Sequence, residues 1–207
     1  MDFLDVLFRA LHVLFGITWI GLLYYFNFVQ AEYFKVSEPS AKSDVVQKLV
    51  PNALWYFRYA ALFTFLTGLY LIHYLSIAIN ISIILGAVLG TFMFLNVWLI
   101  IWPNQKKVIS GSPDAGAKAG LASRTNTLFS IPMLWFMVYS AHGTAIGNTI
   151  LSLEESLLSL WVGLVLIAII EANAVWGKMN AAITSVKAVI HSGVALTVIL
   201  GLIVCYL

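Results

Sequence analysis

The sequence predicts an all-α integral membrane protein, a bundle of about six transmembrane helices that forms a single domain over residues 1–207. Hydrophobic residues make up 61% of the chain and charged residues only 10%. A soluble domain needs more charge than this to cover its surface, so most of the helical surface should face lipid. The net charge of +2 gives no reason to expect a nucleic-acid partner.

Six apolar runs are each long enough to cross a bilayer, which takes about 20 helical residues. They cover residues 4–30, 54–78, 81–103, 125–147, 153–176 and 184–206. The least marked boundary separates the second run from the third, where Asn80 and two nearby serines indicate a turn. Pro103 is expected to close the third run, and residues 110–117 should form a flexible loop.

The basic residues predict the orientation of these spans. If the spans alternate strictly, ten of the 11 Lys and Arg residues lie on one side of the membrane and only Arg9 lies on the other. The ten are Lys35, Lys42, Lys48, Arg58, Lys106, Lys107, Lys118, Arg124, Lys178 and Lys187. Because basic loops stay in the cytoplasm, both termini should be extracytoplasmic. We expect a multi-pass protein of the bacterial inner (cytoplasmic) membrane.

All four histidines, His12, His73, His142 and His191, lie inside apolar runs. An imidazole in hydrocarbon needs a partner, because an unpaired polar group there costs several kcal/mol or so. At about 1.5 Å rise per residue, the first three fall in the outer leaflet on three different helices, whereas His191 lies alone in the inner leaflet. An interhelical hydrogen bond is the ordinary role of one such histidine. Three at similar depth favour a haem held by two imidazoles.

Haem b suits this region better than zinc or copper, because no carboxylate or thiolate stands nearby to complete a tetrahedral site. Gly16, Gly68 and Gly143 leave room for a flat ring, although each also suits close helix packing. Arg9 precedes His12 by three residues and shares its helix face. It either pairs with haem propionates or extends to the lipid headgroups.

A second polar group of residues is expected near the inner ends of the spans. Its members are Arg124, Asn126, Glu171, Asn173, Lys187 and His191. Glu171 is the one acid well inside an apolar run, and a buried carboxylate needs a partner. Two interpretations stay open: a structural pairing of Glu171 with Lys187 or Arg124, and a proton path or quinone site.

Four segments resemble, in order along the chain, the membrane domain of the cytochrome c-linked bacterial urate oxidases (urate hydroxylases). They are HVLFGITWIGLLYYFNFVQ (12–30), LWYFRYAALFTFLTGLYL (54–71), LNVWLIIWPNQKKVI (95–109) and RTNTLFSIPMLWFMVYSAH (124–142). The resemblance implies a haem-binding redox protein of the membrane, and its pattern includes histidines that match His12 and His142. We therefore expect His12 and His142 to be the axial ligands of one haem b iron, with His73 as the substitute for either and Arg9 beside the cofactor.

One departure of the chain from that family bears on the electron partner. The urate oxidases carry a cytochrome c domain with a CxxCH haem-attachment motif, whereas Cys205 is the only cysteine here. The resemblance then implies electron transfer to or from a separate cytochrome c, another redox protein subunit or a quinone.

Two alternatives stay open. The first span is also similar to that of the membrane protoporphyrinogen oxidases, in which a histidine of the first helix is associated with haem. That family relies on a lysine near its haem, and Lys187 lies in the opposite leaflet from His12. The other alternative is a non-catalytic structural or assembly subunit of a respiratory membrane complex.

Overall fold

The computed structural model describes residues 3–74, 79–112, 114–143 and 156–207. Within these ranges the chain is almost entirely helical and contains no β-strand, which confirms the all-α prediction. The α-helices are α1 (Phe3–Tyr24), α2 (Ala31–Val36), α3 (Pro39–Asp44), α4 (Val50–Tyr74), α5 (Ile81–Leu95), α6 (Trp102–Ile109), α7 (Ala115–His142), α8 (Leu157–Trp176) and α9 (Val186–Tyr206). Three π-helical segments, Tyr25–Gln30, Val45–Leu49 and Asn96–Ile101, join α1 to α2, α3 to α4 and α5 to α6.

The helices and π-helical segments form six long helical stretches among the described residues, the number that the apolar runs predict. Four are both long and apolar enough to cross a membrane: Phe3–Val36, Ile81–Ile109, Leu157–Trp176 and Val186–Tyr206. The other two contain α4 and α7, with 25 and 28 residues. Parts of the predicted second, fourth and fifth spans, at 75–78 and 144–155, lie outside the described residues.

Asn80 marks the boundary between the second and third stretches, as predicted. Its side-chain oxygen accepts a hydrogen bond of 2.8 Å from the backbone N–H of Ile83. This bond satisfies one of the N–H groups that have no partner within the first turn of α5.

Pro103 does not close the third span, contrary to the prediction. The helix continues through the π-helical segment Asn96–Ile101 into α6, with Pro103 in the first turn of that helix. Proline lacks an N–H and crowds the preceding turn, and the wider π-helical turn directly before it accommodates this. Asn104 then donates its side-chain amide to the carbonyl of Ile100 at 2.7 Å, so the distortion leaves that carbonyl satisfied.

The chain divides into two compact units, and the first comprises Met1–Leu75 and Phe94–Arg124. Its centre is an antiparallel contact between the stretch that begins with α1 and helix α4. Three aromatic pairs mark successive levels of this contact: Phe8 with Tyr70, Phe15 with Phe63, and Phe26 with Phe57, with ring centroids 3.7, 5.1 and 5.5 Å apart. The pairing fixes which residue of α4 faces each residue of α1.

The second unit comprises Ser76–Met93 and Thr125–Leu207. In it, the fully buried Asn126 of α7 donates its side-chain amide to the Met93 carbonyl of α5 at 2.9 Å. Gly193 of α9 lies against α7 so closely that an added Cβ would be 3.3 Å from the Leu128 carbonyl. That carbonyl is the one whose helical partner would be the N–H that Pro132 lacks. Glycine thus lets α9 approach the irregular part of α7.

That the whole chain forms a single domain stays a prediction.

Candidate functional site

His12 is held by helix α4 in the first unit. Its Nδ1 lies 3.0 Å from the Thr67 hydroxyl oxygen, and that hydroxyl in turn lies 3.0 Å from the carbonyl of Thr64 on the preceding turn of α4. Both threonines are buried. The sequence indicated His12 but not its partner Thr67, which lies 55 residues away in the chain.

The hydrogen bonds of Thr67 determine which nitrogen of His12 carries the proton. The Thr67 hydroxyl has one hydrogen, and its oxygen lies 2.6 Å from the Phe63 carbonyl and 3.0 Å from the Thr64 carbonyl. Because a carbonyl can only accept, this hydrogen is used toward the backbone, and the hydroxyl oxygen accepts from His12. The proton of a neutral His12 therefore resides on Nδ1, which leaves the lone pair on Nε2. A fixed Nδ1–H with a bare Nε2 is the state in which histidine ligates a metal.

Gly68 makes room for the His12 ring. A Cβ added at this glycine would lie 3.1 Å from His12 Cε1 and 3.6 Å from Nδ1. The sequence predicted that this glycine leaves space for a flat ring, and in the structure the His12 imidazole occupies that space. A small residue here lets the imidazole reach Thr67.

Arg9 forms an ion pair that the sequence analysis did not predict. Its Nε donates to Asp5 Oδ1 at 2.7 Å, one helical turn earlier, and Asp5 is buried. The spacing of four residues is the signal that could have revealed the pair. The bond uses one of the five N–H donors of the guanidinium, and pairing of Arg9 with propionates stays a prediction.

The remaining histidines are all exposed in the part of the chain that is described. His73 is near the end of α4 in the first unit, whereas His142 ends α7 and His191 lies in α9, both in the second unit. Within the described ranges no three His, Cys, Asp or Glu side chains come together as a metal-binding group. Axial ligation by His12 and His142, with His73 as the substitute, stays a prediction.

The inner group of polar residues divides between the units. Arg124 is buried in the first unit, where the carboxylate of Glu32 interacts with it electrostatically. Glu171 is buried in the second unit, and Lys187 in the same unit is exposed. Asn27 was not predicted from the sequence; it is buried in the π-helical segment after α1 and donates to Ser123 at 2.8 Å.

Fold and site together define a helical membrane protein with an imidazole held between two of its helices. Residues 78–204, more than half of the chain, match the family model described as urate oxidase N-terminal. The chain belongs to this family. No curated protein and no solved structure gives a match.

The family match includes two of the four segments that carry the resemblance, 95–109 and 124–142, and with them His142. The segment 12–30, with His12, lies before the matched residues.

Proposed function

We propose that this chain is an integral-membrane haem b protein, similar to the membrane domain of urate oxidase, which passes electrons to or from a cytochrome c, another redox subunit or a quinone. The observation that carries the proposal is the 3.0 Å contact between His12 Nδ1 and the Thr67 hydroxyl oxygen. A histidine whose Nδ1–H is held by a hydroxyl presents Nε2 as a ligand in a fixed direction. Membership of the urate oxidase N-terminal family supports the same conclusion.

The residues around His12 fit a haem. Thr67 would hold the His12 imidazole by a hydrogen bond, and Gly68 would leave space for that ring. The terminal amino groups of Arg9 would bind a haem propionate by charge-assisted hydrogen bonds. Asp5 would keep the guanidinium in place through its bond to Nε. Bound there, the haem supplies a one-electron iron couple. His142 is proposed as the second axial ligand on the family pattern, and His73 is proposed as the substitute for either His12 or His142.

The natural electron donor can be identified by anaerobic titration of the purified oxidised protein. We expect the absorption bands of the reduced protein to develop with urate if this chain completes a urate-oxidising site, and with a quinol or a partner dehydrogenase if it is an electron-transfer subunit. Oxidised cytochrome c or a quinone should then reverse the change. A protein that none of these donors reduces, although dithionite does, would contradict the proposed function.

We also propose that both termini are extracytoplasmic and that the basic end of the first unit faces the cytoplasm. Trp102 supports this placement, since Arg58 and Lys106 lie 4.5 and 4.1 Å from its ring centroid. Tryptophan with adjacent basic residues is typical of the cytoplasmic membrane–water interface.

Cysteine labelling tests this topology. The native Cys205, which is exposed, is first replaced with serine, and Ser112→Cys then provides one thiol in the loop after α6. We expect this thiol to resist an impermeant maleimide in intact spheroplasts and to react once the membrane is permeabilised. Rapid labelling of intact spheroplasts would invert the orientation.

A further inference from the structure

A buried arginine with one unbonded guanidinium nitrogen lies in the described part of the first unit, away from the His12 site. Arg124 is only 7% exposed, and its Nη1 atom is buried with no hydrogen-bond partner in the described part of the chain. An unsatisfied charged donor in a membrane protein is costly. The Nη1 donor therefore lacks an acceptor among the residues that the structure describes.

A buried acceptor without a partner lies on the segment beside it. The Oε1 atom of Gln30 is also buried and accepts no hydrogen bond within the described residues. The 2.8 Å bond from Asn27 to Ser123 joins the segment that carries Gln30 to the one that carries Arg124. Gln30 follows Asn27 by three residues and Arg124 follows Ser123 directly. The unbonded Arg124 Nη1 and the unbonded Gln30 Oε1 thus belong to the two segments that the Asn27–Ser123 hydrogen bond joins. We call the region formed by Asn27, Gln30, Ser123 and Arg124 the Arg124 junction.

The charges at this junction favour a neutral ligand. Glu32 already interacts electrostatically with Arg124, although it is itself bonded to Lys35 at 2.7 Å. An oxyanion would satisfy the guanidinium but would set its negative charge against the Gln30 carbonyl oxygen and the Glu32 carboxylate. A quinol meets both unused groups without this repulsion, because one hydroxyl oxygen can accept from Arg124 and the other hydroxyl can donate to Gln30. The carbonyl oxygen of a quinone can accept from Arg124 alone.

We propose that the Arg124 junction binds the headgroup of a lipid-soluble quinone. A ligand oxygen would accept from Arg124 Nη1, and a hydroxyl of the reduced form would donate to Gln30 Oε1. The ring of Phe26, which lies in the same π-helical segment as Gln30 and packs against Phe57 of α4 at 5.5 Å, would provide an apolar wall. The segment belongs to the candidate membrane span Phe3–Val36, where a molecule dissolved in the bilayer has access.

The functional role of this quinone site depends on the proposed electron-transfer function. Its contacts with the ligand do not involve haem. Asn27 lies on the same helical stretch as His12, about 22 Å farther along at 1.5 Å per residue. The two sites can therefore be tested separately.

Equilibrium binding of a short-chain ubiquinone and of its quinol to the full-length protein in detergent tests the site. We expect saturable binding of both, and Arg124→Leu should weaken both about tenfold or more, because it removes a hydrogen bond from a charged donor. Gln30→Met, which keeps the side-chain length, should weaken the quinol several-fold and leave the quinone nearly unchanged. Lys107→Gln, which removes an exposed charge from α6, is the matched control and should alter neither affinity.

Three results would overturn the quinone site. They are no saturable binding of either form, equal loss of both forms in Gln30→Met, and competition by inorganic phosphate, which would identify an oxyanion site. If Arg124→Leu does not fold, the site is tested by Gln30→Met alone, through the difference between its effects on quinol affinity and on quinone affinity. The His12→Ala variant should bind both forms as the unmodified protein does, so a failure of the haem proposal is distinguishable from a failure of this one.

Discussion

Replacing His12 with alanine is expected to remove nearly all haem from the purified protein. The substitution deletes the imidazole whose Nδ1 bonds to Thr67 at 3.0 Å, and with it the proposed Nε2 ligand. An alanine leaves the buried Thr67 hydroxyl and an apolar space, neither of which coordinates iron. Haem per chain, measured by the pyridine haemochrome spectrum, should fall to a small fraction of its original value, and full retention of haem would contradict the assignment.

Companion variants separate ligation from general loss of structure. Thr67→Val preserves shape and removes the hydrogen-bond partner of His12, and loss of such an outer partner typically lowers metal affinity about 10–100-fold. It should therefore release haem more readily on dilution without abolishing binding. His142→Ala should also lose haem if His142 is the second ligand, while His191→Ala should keep it. Loss of half the haem in His191→Ala would reveal a second site.

Replacing Gly193 with alanine is expected to destabilise the second unit. The new Cβ would lie 2.5 Å from Ile131 Cδ1 and 3.3 Å from the Leu128 carbonyl oxygen. Such overpacking of a tight helix contact costs about 1–3 kcal/mol. The loss should appear as a lower midpoint of thermal unfolding in detergent.

A second substitution, at Ile131, is expected to restore part of the stability lost in Gly193→Ala. Ile131→Val removes the Cδ1 atom that the new methyl would strike, so the double variant should be more stable than the sum of the two single changes. The control on the same helix is Gly201→Ala, whose Cβ would meet Trp135 at an ordinary 3.4 Å. It should be neutral or slightly stabilising, since alanine favours a helix over glycine by up to about 1 kcal/mol. Equal destabilisation by both glycine substitutions would refute this account of the contact.

The sequence predicted the helical stretches well, because apolar runs of bilayer length and local signals such as Asn80 are visible within a few residues. It did not predict that the chain continues through Pro103 as a helix. That outcome depends on a π-helical turn before the proline and on the side chain of Asn104, which bonds to Ile100. The pattern of hydrophobic residues does not indicate where a single helical turn widens into a π-helix.

The candidate sites were predicted in part for a similar reason. An imidazole in an apolar run is conspicuous, so His12 could be selected from its position alone. Its partner Thr67 lies 55 residues away, and the Asn27 partner Ser123 lies 96 residues away. These contacts exist only once the antiparallel contact and the start of α7 are in place. By contrast, the pairing of Asp5 with Arg9 could have been predicted from the sequence, because the two residues are one helical turn apart.

The optical spectrum of the purified protein, produced with sufficient haem supply, tests the central claim most directly. We predict a Soret band in the oxidised protein and a sharp α-band on reduction. The haem should be extractable with acidified acetone, because the chain contains no CxxCH motif to attach it covalently. A folded protein that shows no Soret band under these conditions would contradict the assignment of this chain as a haem protein.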